Sequence, residues 1–175
     1  MYYEIYNIYK SVKLSPKNHA SGTTLVEILV ATLLLASFFA SLFEANAVVL
    51  RFIAASKQSV GAIEAVQART EVFRNLAFSD LTTTSYVQNL LATAANTSDF
   101  AKFATEVVKI SAYPTPNGVT QMTRATNGTV SLDSTATSLG STLIKVDISQ
   151  SWTGVLGGRQ RTEQTSLIIS NGTKK

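Results

Sequence analysis

Two residue types that often carry catalysis, cysteine and histidine, are nearly absent from this chain. It has no cysteine and one histidine, His19. The lack of cysteine excludes disulfides, thiolate metal sites and cysteine nucleophiles, and one histidine near the amino terminus gives no basis for a Ser-His-Asp triad or an imidazole metal site. The carboxylates are not clustered in the sequence, which leaves a serine–lysine pair as the one catalytic arrangement open, and no motif for it is present. The sequence therefore predicts no metal, no cofactor and no enzymatic activity.

One ionisable residue stands out by its surroundings. Glu27 is the only charged residue in the run LVEILVATLLLASFFASLF, which occupies residues 25–43. A carboxylate inside hydrocarbon costs about 2–3 kcal/mol on insertion scales, so it needs either a nearby cation or access to the headgroups. Both interpretations follow from its position close to the start of the run.

The element that must position Glu27 is a helix long enough to cross a membrane. Nineteen residues, 25–43, make about 28 Å of helix, close to the ~30 Å of a bilayer core. Hydroxyls at Thr32, Ser37 and Ser41 are expected to bond within the helix. The side chains predicted to face lipid or neighbouring helices are Leu25, Ile28, Leu29, Leu33, Leu34, Leu35, Phe38, Phe39, Leu42 and Phe43.

The segment before this helix differs from an ordinary secretory signal. Lys10, Lys13 and Lys17 precede the apolar run, which favours a cytoplasmic amino terminus. A secretory signal places its small-residue cleavage site after the apolar region, whereas here the best such site, Gly22, comes before it. Cleavage at Gly22 would leave the apolar helix on the mature protein.

The helical pattern continues past the apolar run. No proline occurs from Thr24 to Ala77, which predicts one helix of about 54 residues, some 80 Å long, whose second half is amphipathic. Charged residues, Arg69 among them, mostly fall outside the apolar face. The residues of that face predicted to lie in the core of the carboxy-terminal domain, the head, are Phe52, Ile63, Val66 and Phe73.

The remaining chain predicts a small antiparallel sheet. A break at residues 80–84 and a short helix around 85–95 precede strands at 106–113, 119–124, 141–152 and 161–170, with 129–132 as a continuation of the second. Pro114-Thr115-Pro116-Asn117-Gly118 and Asn127-Gly128 mark turns. The strand at 141–152 alternates most clearly, and its predicted core residues are Ile144, Val146, Ile148 and Trp152.

These segments give an α+β organisation, with a long amino-terminal helix on a small antiparallel sheet. The chain has 15% charged residues and a formal charge of +4, but the basic residues are scattered, so nucleic-acid binding is not indicated. The predicted divisions are a leader at 1–22, an apolar helix half at 23–44, an amphipathic helix half at 45–79, a connecting region at 80–104 and the sheet of an exported head at 105–175.

Residues 22–36, GTTLVEILVATLLLA, resemble the start of type IV prepilins and of the pseudopilins of type II secretion. The family pattern is a glycine at the cleavage site, four residues, a glutamate and a hydrophobic helix. Here these positions are Gly22, residues 23–26, Glu27 and the run from Ile28. More loosely, the long helix and carboxy-terminal sheet are similar to the family architecture. Threonine at position 23 is less usual in this family than phenylalanine or methionine. The absence of cysteine favours a minor pilin or pseudopilin, or a lineage that does not use disulfides.

The resemblance implies specific processing and partners. A prepilin peptidase would cut between Gly22 and Thr23 and methylate the new amine of Thr23. Glu27 would then pair with the Thr23 amine of its own or a neighbouring copy and fix the axial register. The implied partners are other pilin or pseudopilin subunits, the peptidase and the inner-membrane assembly platform.

The sequence thus predicts a filament subunit that starts in the inner membrane, with a cytoplasmic amino terminus and an exported head, and ends in a periplasmic or surface filament. The alternative is a single-pass anchored binding module that does not polymerise. The sequence does not separate pilus, secretion pseudopilus and DNA-uptake systems, or major from minor and tip subunits.

Overall fold

The computed structural model of the protein describes residues 24–172. Four helices are followed by five strands: α1 Leu25–Asn75, α2 Phe78–Thr82, α3 Thr84–Leu91, α4 Asp99–Phe103, β1 Thr105–Ala112, β2 Thr120–Arg124, β3 Val130–Ser134, β4 Leu143–Thr153 and β5 Gln160–Ser170. The strands form one antiparallel sheet in the order β3-β2-β1-β4-β5. A long apolar helix packed on a five-stranded antiparallel sheet confirms the predicted α+β class.

The chain divides into two compact units between Ala45 and Asn46. In the first unit, the described residues all belong to α1 or precede it directly. The second unit, called the head below, holds the remainder of α1, the three short helices and the sheet. The core of the protein is therefore the core of the head.

The alternation predicted for β4 is the clearest link between sequence and packing. Ile144, Val146 and Ile148 are completely buried, whereas Lys145 and Asp147 between them are half-buried. The buried face of β4 packs with β1 residues such as Val108 in the larger of two core clusters. Alternating burial follows because successive strand side chains point to opposite sides of the sheet.

The buried face of α1 differs from the predicted one. Val66 and Phe73 are buried, but Phe52 is 58% and Ile63 is 42% exposed, so the prediction that these two are core residues is wrong. The face that packs on the head consists of Ala55, Gly61, Ala62, Ala65, Val66, Arg69 and Phe73. Small residues dominate because they let the helix backbone approach closely, and large apolar residues elsewhere on the helix had masked this face in the sequence.

Gly61 shows how close that approach is. A Cβ atom placed on Gly61 would lie 2.8 Å from Cβ of Phe100 in α4, well inside contact distance. Phe100 packs edge-on against Trp152 of β4, with ring centroids 5.1 Å apart. Together with Ala62 and Ala65, these rings belong to the second core cluster. The sequence did not predict α4. Phe100 of this helix packs against α1 at a position where only glycine leaves enough room.

The predicted turn at Asn127-Gly128 joins two separate strands. Gly128 has φ of +84°, a conformation in which glycine avoids the strain of a side chain, and its N–H donates to the carbonyl of Ala125 at 2.9 Å. The following segment turns back as β3 and pairs with β2. The interpretation of residues 129–132 as a continuation of the preceding strand is therefore wrong. The predicted break at residues 80–84 also needs correction, because it overlaps α2 and the start of α3.

Candidate functional site

The apolar segment of α1 is uncovered within the chain. All ten side chains predicted to face lipid or neighbouring helices are exposed, from 46% for Phe39 to 83% for Leu25. Among the described residues, α1 is the one helix long and apolar enough to cross a membrane, and none of its most apolar window is buried. A soluble core helix would hide such a surface, so this segment has the properties of a membrane span.

The polar groups of this segment are satisfied within the helix. Thr32 donates its hydroxyl to the carbonyl of Leu29 at 2.9 Å, and Ser37 donates to that of Leu33 at 2.8 Å. Ser41 donates in turn to the carbonyl of Ser37 at 2.9 Å. The predicted hydroxyl bonds to the preceding turn are confirmed. They remove the cost of placing unpaired hydroxyls in hydrocarbon.

Glu27 lies in the first turn of α1. Its backbone N–H donates to the carbonyl of Thr24 at 2.9 Å and to the Thr24 hydroxyl at 3.3 Å, so Thr24 caps the helix start. A carboxylate in the first turn is favoured by the partial positive charge of the helix amino terminus. Within residues 24–172, no lysine or arginine forms a salt bridge with it. The geometry therefore leaves the carboxylate available to a cation from elsewhere.

The predicted cleavage and methylation positions cannot be placed on this geometry. Gly22, Thr23 and the predicted leader lie outside the described residues, as does His19. Within residues 24–172, no group of three or more histidine, aspartate and glutamate side chains is arranged to hold a metal ion.

Three surface aspartates have pKa values below the ordinary one, and each shift has a local cause. The pKa of Asp99 is lowered by its hydrogen bond and attraction to Lys102. Hydrogen bonds from Thr123, Gln121 and Ser131 lower the pKa of Asp133. These contacts tie the carboxylates to their own helix turn or strand pair, so each shift is explained by local structure.

The third aspartate lies on the outer face of the sheet. Partial burial raises the pKa of Asp147, but the hydrogen bond from Ser166 and the nearby ammonium groups of Lys145 and Lys109 outweigh it and leave the pKa lowered. The Nζ atom of Lys145 is 2.9 Å from Oδ1 of Asp147. This cluster links β1, β4 and β5 across the outer surface of the sheet.

Sequence reasoning also missed an apolar surface on the head. Large apolar residues of α1 beyond residue 45 remain exposed, including Val49, Phe52 and Ile53. A groove of about 650 Å³ runs beside them, with Lys57 and Glu64 at its margin. No local signal marked this surface, because large apolar residues lie on several sides of α1 and only the fold shows that Ala62 and Ala65 face inward.

The described part of the chain thus combines a membrane-compatible helix, a carboxylate in its first turn and a small α+β head. In comparisons with known proteins, no family model, curated protein or solved structure matches this chain.

Proposed function

We propose that the protein is a structural subunit, a minor pilin or pseudopilin, of a type IV pilus or a type II secretion pseudopilus. A prepilin peptidase removes residues 1–22, and the subunit assembles through α1 with its head outward. It joins other pilin-like subunits by way of the inner-membrane assembly platform. The observation that carries the proposal is Glu27, a carboxylate placed five residues after Gly22 in the first turn of an uncovered apolar helix.

The order of the features supports this proposal over a plain membrane anchor. An anchor needs only the apolar run, and it gains nothing from a carboxylate that costs about 2–3 kcal/mol in hydrocarbon. Cleavage after Gly22 would create a cationic amine on Thr23, directly before the capping residue Thr24. An amine at a helix amino terminus meets the positive end of the helix dipole. A carboxylate four residues further along, Glu27, offsets this repulsion in the same chain or pairs with the amine of the next copy.

The exposed apolar face supports assembly without a large gain from dehydration. Transfer from lipid into a bundle of helices keeps this surface away from water throughout, so van der Waals packing and polar pairs decide the association. Leucine and phenylalanine side chains around the whole helix offer contacts in every direction. A buried ion pair contributes specificity more dependably than stability, so Glu27 acts by selecting one axial offset between neighbours.

Two measurements in the cells that make the protein test this proposal. Mass spectrometry of the membrane fraction should find an amino terminus at Thr23, with or without a methyl group. Quantitative blotting of sheared or purified filaments should find the wild-type protein. Glu27→Leu should still be cleaved but should be lost from filaments, whereas the control Glu44→Gln, which removes another exposed glutamate of α1, should be incorporated normally.

Each alternative outcome has a distinct meaning. An intact Met1 in the working protein would refute the processed-subunit function and leave a single-pass anchored module. Normal incorporation of Glu27→Leu would retain the filament function but refute the electrostatic role of Glu27.

A further inference from the structure

Three asparagines of the head stand in the pattern Asn-x-Ser/Thr, which marks acceptors of amide-linked glycans in exported proteins. The three tripeptides are Asn96-Thr97-Ser98, Asn127-Gly128-Thr129 and Asn171-Gly172-Thr173. Chance matches are common in a chain rich in threonine and asparagine, so the pattern alone selects none of the three. The surroundings of each side-chain nitrogen, Nδ2, decide which asparagine is presented for reaction.

Asn127 lies at the tip of the hairpin that joins β2 to β3. The N–H of Ala125 donates to the carbonyl of Thr129 at 2.8 Å, and the N–H of Gly128 donates to that of Ala125 at 2.9 Å. These two bonds fix the turn, and Thr126, Asn127 and Thr129 are all exposed on it. The tip therefore offers an asparagine that an enzyme can reach without unfolding the head.

The side-chain amide of Asn127 is oriented by Thr129. Its oxygen, Oδ1, accepts from the Thr129 backbone N–H at 3.0 Å and from the Thr129 hydroxyl at 2.7 Å. Within residues 24–172, no hydrogen bond uses Nδ2 of Asn127. Donors that face the oxygen stabilise the negative charge that it gains when Nδ2 loses a proton. The turn thus holds the amide so that its oxygen is engaged and its nitrogen is free to react.

The other two asparagines are placed less favourably. Asn171 uses its Nδ2 to donate to the carbonyl of Ser141 at 2.8 Å, so this nitrogen is engaged. Asn96 accepts the same two bonds from Ser98, but Asn96 is half-buried. The Ser98 hydroxyl also accepts from the N–H of Ala101 at the start of α4. A glycan at Asn96 would therefore crowd the start of a helix that packs in the core.

The hairpin also opposes the reaction that competes at an Asn-Gly pair. In that reaction the backbone nitrogen of glycine attacks the side-chain carbon of asparagine, and ammonia leaves. The nitrogen of Gly128 is instead held by its hydrogen bond to the carbonyl of Ala125, and the hairpin continues into the paired strands β2 and β3. The amide of Asn127 is thereby kept for a reaction at Nδ2.

We propose that Asn127 is a glycosylation site. The donor is an oligosaccharide joined through its anomeric carbon to a polyprenyl phosphate or pyrophosphate in the membrane. Nδ2 bonds to the anomeric carbon, the bond from that carbon to the phosphate oxygen breaks, and the lipid phosphate and one amide proton leave. The inference rests on the export of the head in the proposed function, because lipid-linked sugars are transferred on the exported side of a membrane.

A glycan at this tip would have a structural effect on the neighbouring edge of the sheet. The strand β3, which follows Asn127 directly, is an edge strand. The unpaired N–H and C=O groups of an edge strand can pair with another chain, and proteins commonly cover or blunt such edges. A glycan is bulky and well solvated, so at Asn127 it hinders pairing of β3 with the sheet of another molecule.

The test uses the full-length protein purified from the membranes of the cells that make it. Trypsin cleaves after lysine and arginine, so Asn127 falls in the peptide 125–145, which contains no other asparagine. Asn96 and Asn171 fall in separate peptides. Mass spectrometry with electron-transfer fragmentation should place a sugar on Asn127 and none on the other two.

Variants at the hairpin separate the nitrogen from the turn that holds it. Asn127→Asp keeps an oxygen that accepts from Thr129 but removes the reacting nitrogen, so it should lose the glycan and keep the fold. Thr129→Val should lose the glycan with the hydroxyl, whereas Thr129→Ser should retain it. Asn171→Asp is the matched control and should leave the glycan on Asn127. The fluorescence of Trp152 during thermal unfolding verifies the fold, and if Thr129→Val fails to fold, Asn127→Asp and Thr129→Ser carry the comparison.

Several results would overturn the inference. They are an unmodified peptide 125–145, a small mass increase from conversion of Asn127 to aspartate, a sugar on the hydroxyl of Thr126 or Thr129, and a sugar on Asn96 or Asn171 alone. The amino terminus of the same sample tests the proposed function separately. A terminus at Thr23 without a sugar on Asn127 would overturn this inference alone. A sugar on Asn127 in a protein with an intact Met1 would support the inference and refute the processed subunit.

Discussion

The guanidinium of Arg69 forms a two-pronged ion pair with the carboxylate of Glu106 inside the head. Nε of Arg69 is 2.6 Å from Oε1 of Glu106, and Nη2 is 2.9 Å from Oε2. Both side chains are at least 98% buried. Arg69 also donates to the carbonyl of Thr93 at 2.7 Å. One side chain of α1 thus joins β1 to the segment after α3.

Removal of one partner of this pair should destabilise the head severely. A buried charge left without its partner costs about 3–5 kcal/mol, so Glu106→Gln and Arg69→Met should each lower the free energy of unfolding by that order. Urea unfolding of the detergent-solubilised protein, followed by the fluorescence of the single tryptophan, Trp152, measures the change. The double variant Arg69→Met/Glu106→Leu should be less damaging than either single one, because no charge is left buried.

An exposed ion pair serves as the control for this comparison. Lys102 lies 2.9 Å from Asp99, but both side chains face solvent. Water and salt screen such pairs, so Lys102→Gln should leave the unfolding curve unchanged within experimental error. Equal losses for Lys102→Gln and Glu106→Gln would contradict the account based on burial.

Gln150 is expected to reduce the free energy of unfolding of the head. It is 99% buried beside Glu106 in the strand pairing, and its Oε1 atom has no hydrogen-bond partner among the described residues. An unpaired buried amide costs about 1–3 kcal/mol. Gln150→Met, which keeps the volume, should therefore raise the free energy of unfolding by about 1 kcal/mol. The same change at the exposed Gln164 should not, and a loss of stability in Gln150→Met would show that the amide is used.

Gly61 is expected to tolerate no side chain. Alanine normally favours a helix interior over glycine by about 1 kcal/mol, but its Cβ would meet Phe100 at 2.8 Å. Overpacking of this kind costs about 1–3 kcal/mol, so Gly61→Ala should lower thermal stability and alter the fluorescence of the neighbouring Trp152. Gly61→Ala should cost less in a Phe100→Ala background. A stabilised Gly61→Ala would mean that α4 yields easily.

Sequence patterns located the sheet better than they located the helix face. Strand alternation around Ile144 and Val146 identifies a buried side because polar residues intervene. Apolar residues surround α1, so its pattern could not show that Ala62 and Ala65 face inward while Ile63 faces out. Nor does local sequence separate the buried Arg69 from an exposed arginine, because its burial depends on Glu106, 37 residues away.

The functional features divide in the same way. Glu27 was recognisable because a carboxylate is rare within an apolar run. The apolar groove of the head was not, because its lining joins Val49 and Phe52 of α1 to Phe100 of α4. Local patterns report the first kind of feature, and only the fold assembles the second.

Asp133 is expected to make a pH-dependent contribution to the head. Hydrogen bonds from Thr123, Gln121 and Ser131 lower its folded-state pKa. Its contribution is therefore fully present above the unfolded-state pKa of about 4 and is lost as pH falls through the lower folded-state value. Thr123→Val, which removes the largest cause, should raise the pKa of Asp133 and reduce stability at pH 7 more than at pH 2.

Urea unfolding at both pH values and a carboxyl titration by NMR measure these effects. Thr135→Val is the matched control, because Thr135 is exposed and does not bond to Asp133. Equal losses at the two pH values would show that Thr123 acts through packing and not through the charge of Asp133.

Glu27 is expected to have two roles in the first turn of α1, and a single variant would not distinguish them. Glu27 favours the helix start through the helix dipole, worth about 0.3–1 kcal/mol, and in the proposed filament it pairs with a terminal amine. Thr24→Val removes the capping hydroxyl that accepts from the Glu27 N–H but keeps the carboxylate. Both Thr24→Val and Glu27→Gln should therefore weaken the helix start, whereas only Glu27→Gln should reduce filament incorporation. The expected reduction is about tenfold or more if the lost pair is worth at least 1.4 kcal/mol.

Quantitative blotting of filaments measures the incorporation of each variant, and mass spectrometry shows whether each variant is cleaved. Equal losses of incorporation in cleaved Thr24→Val and cleaved Glu27→Gln subunits would assign Glu27 to helix capping instead of pairing between copies.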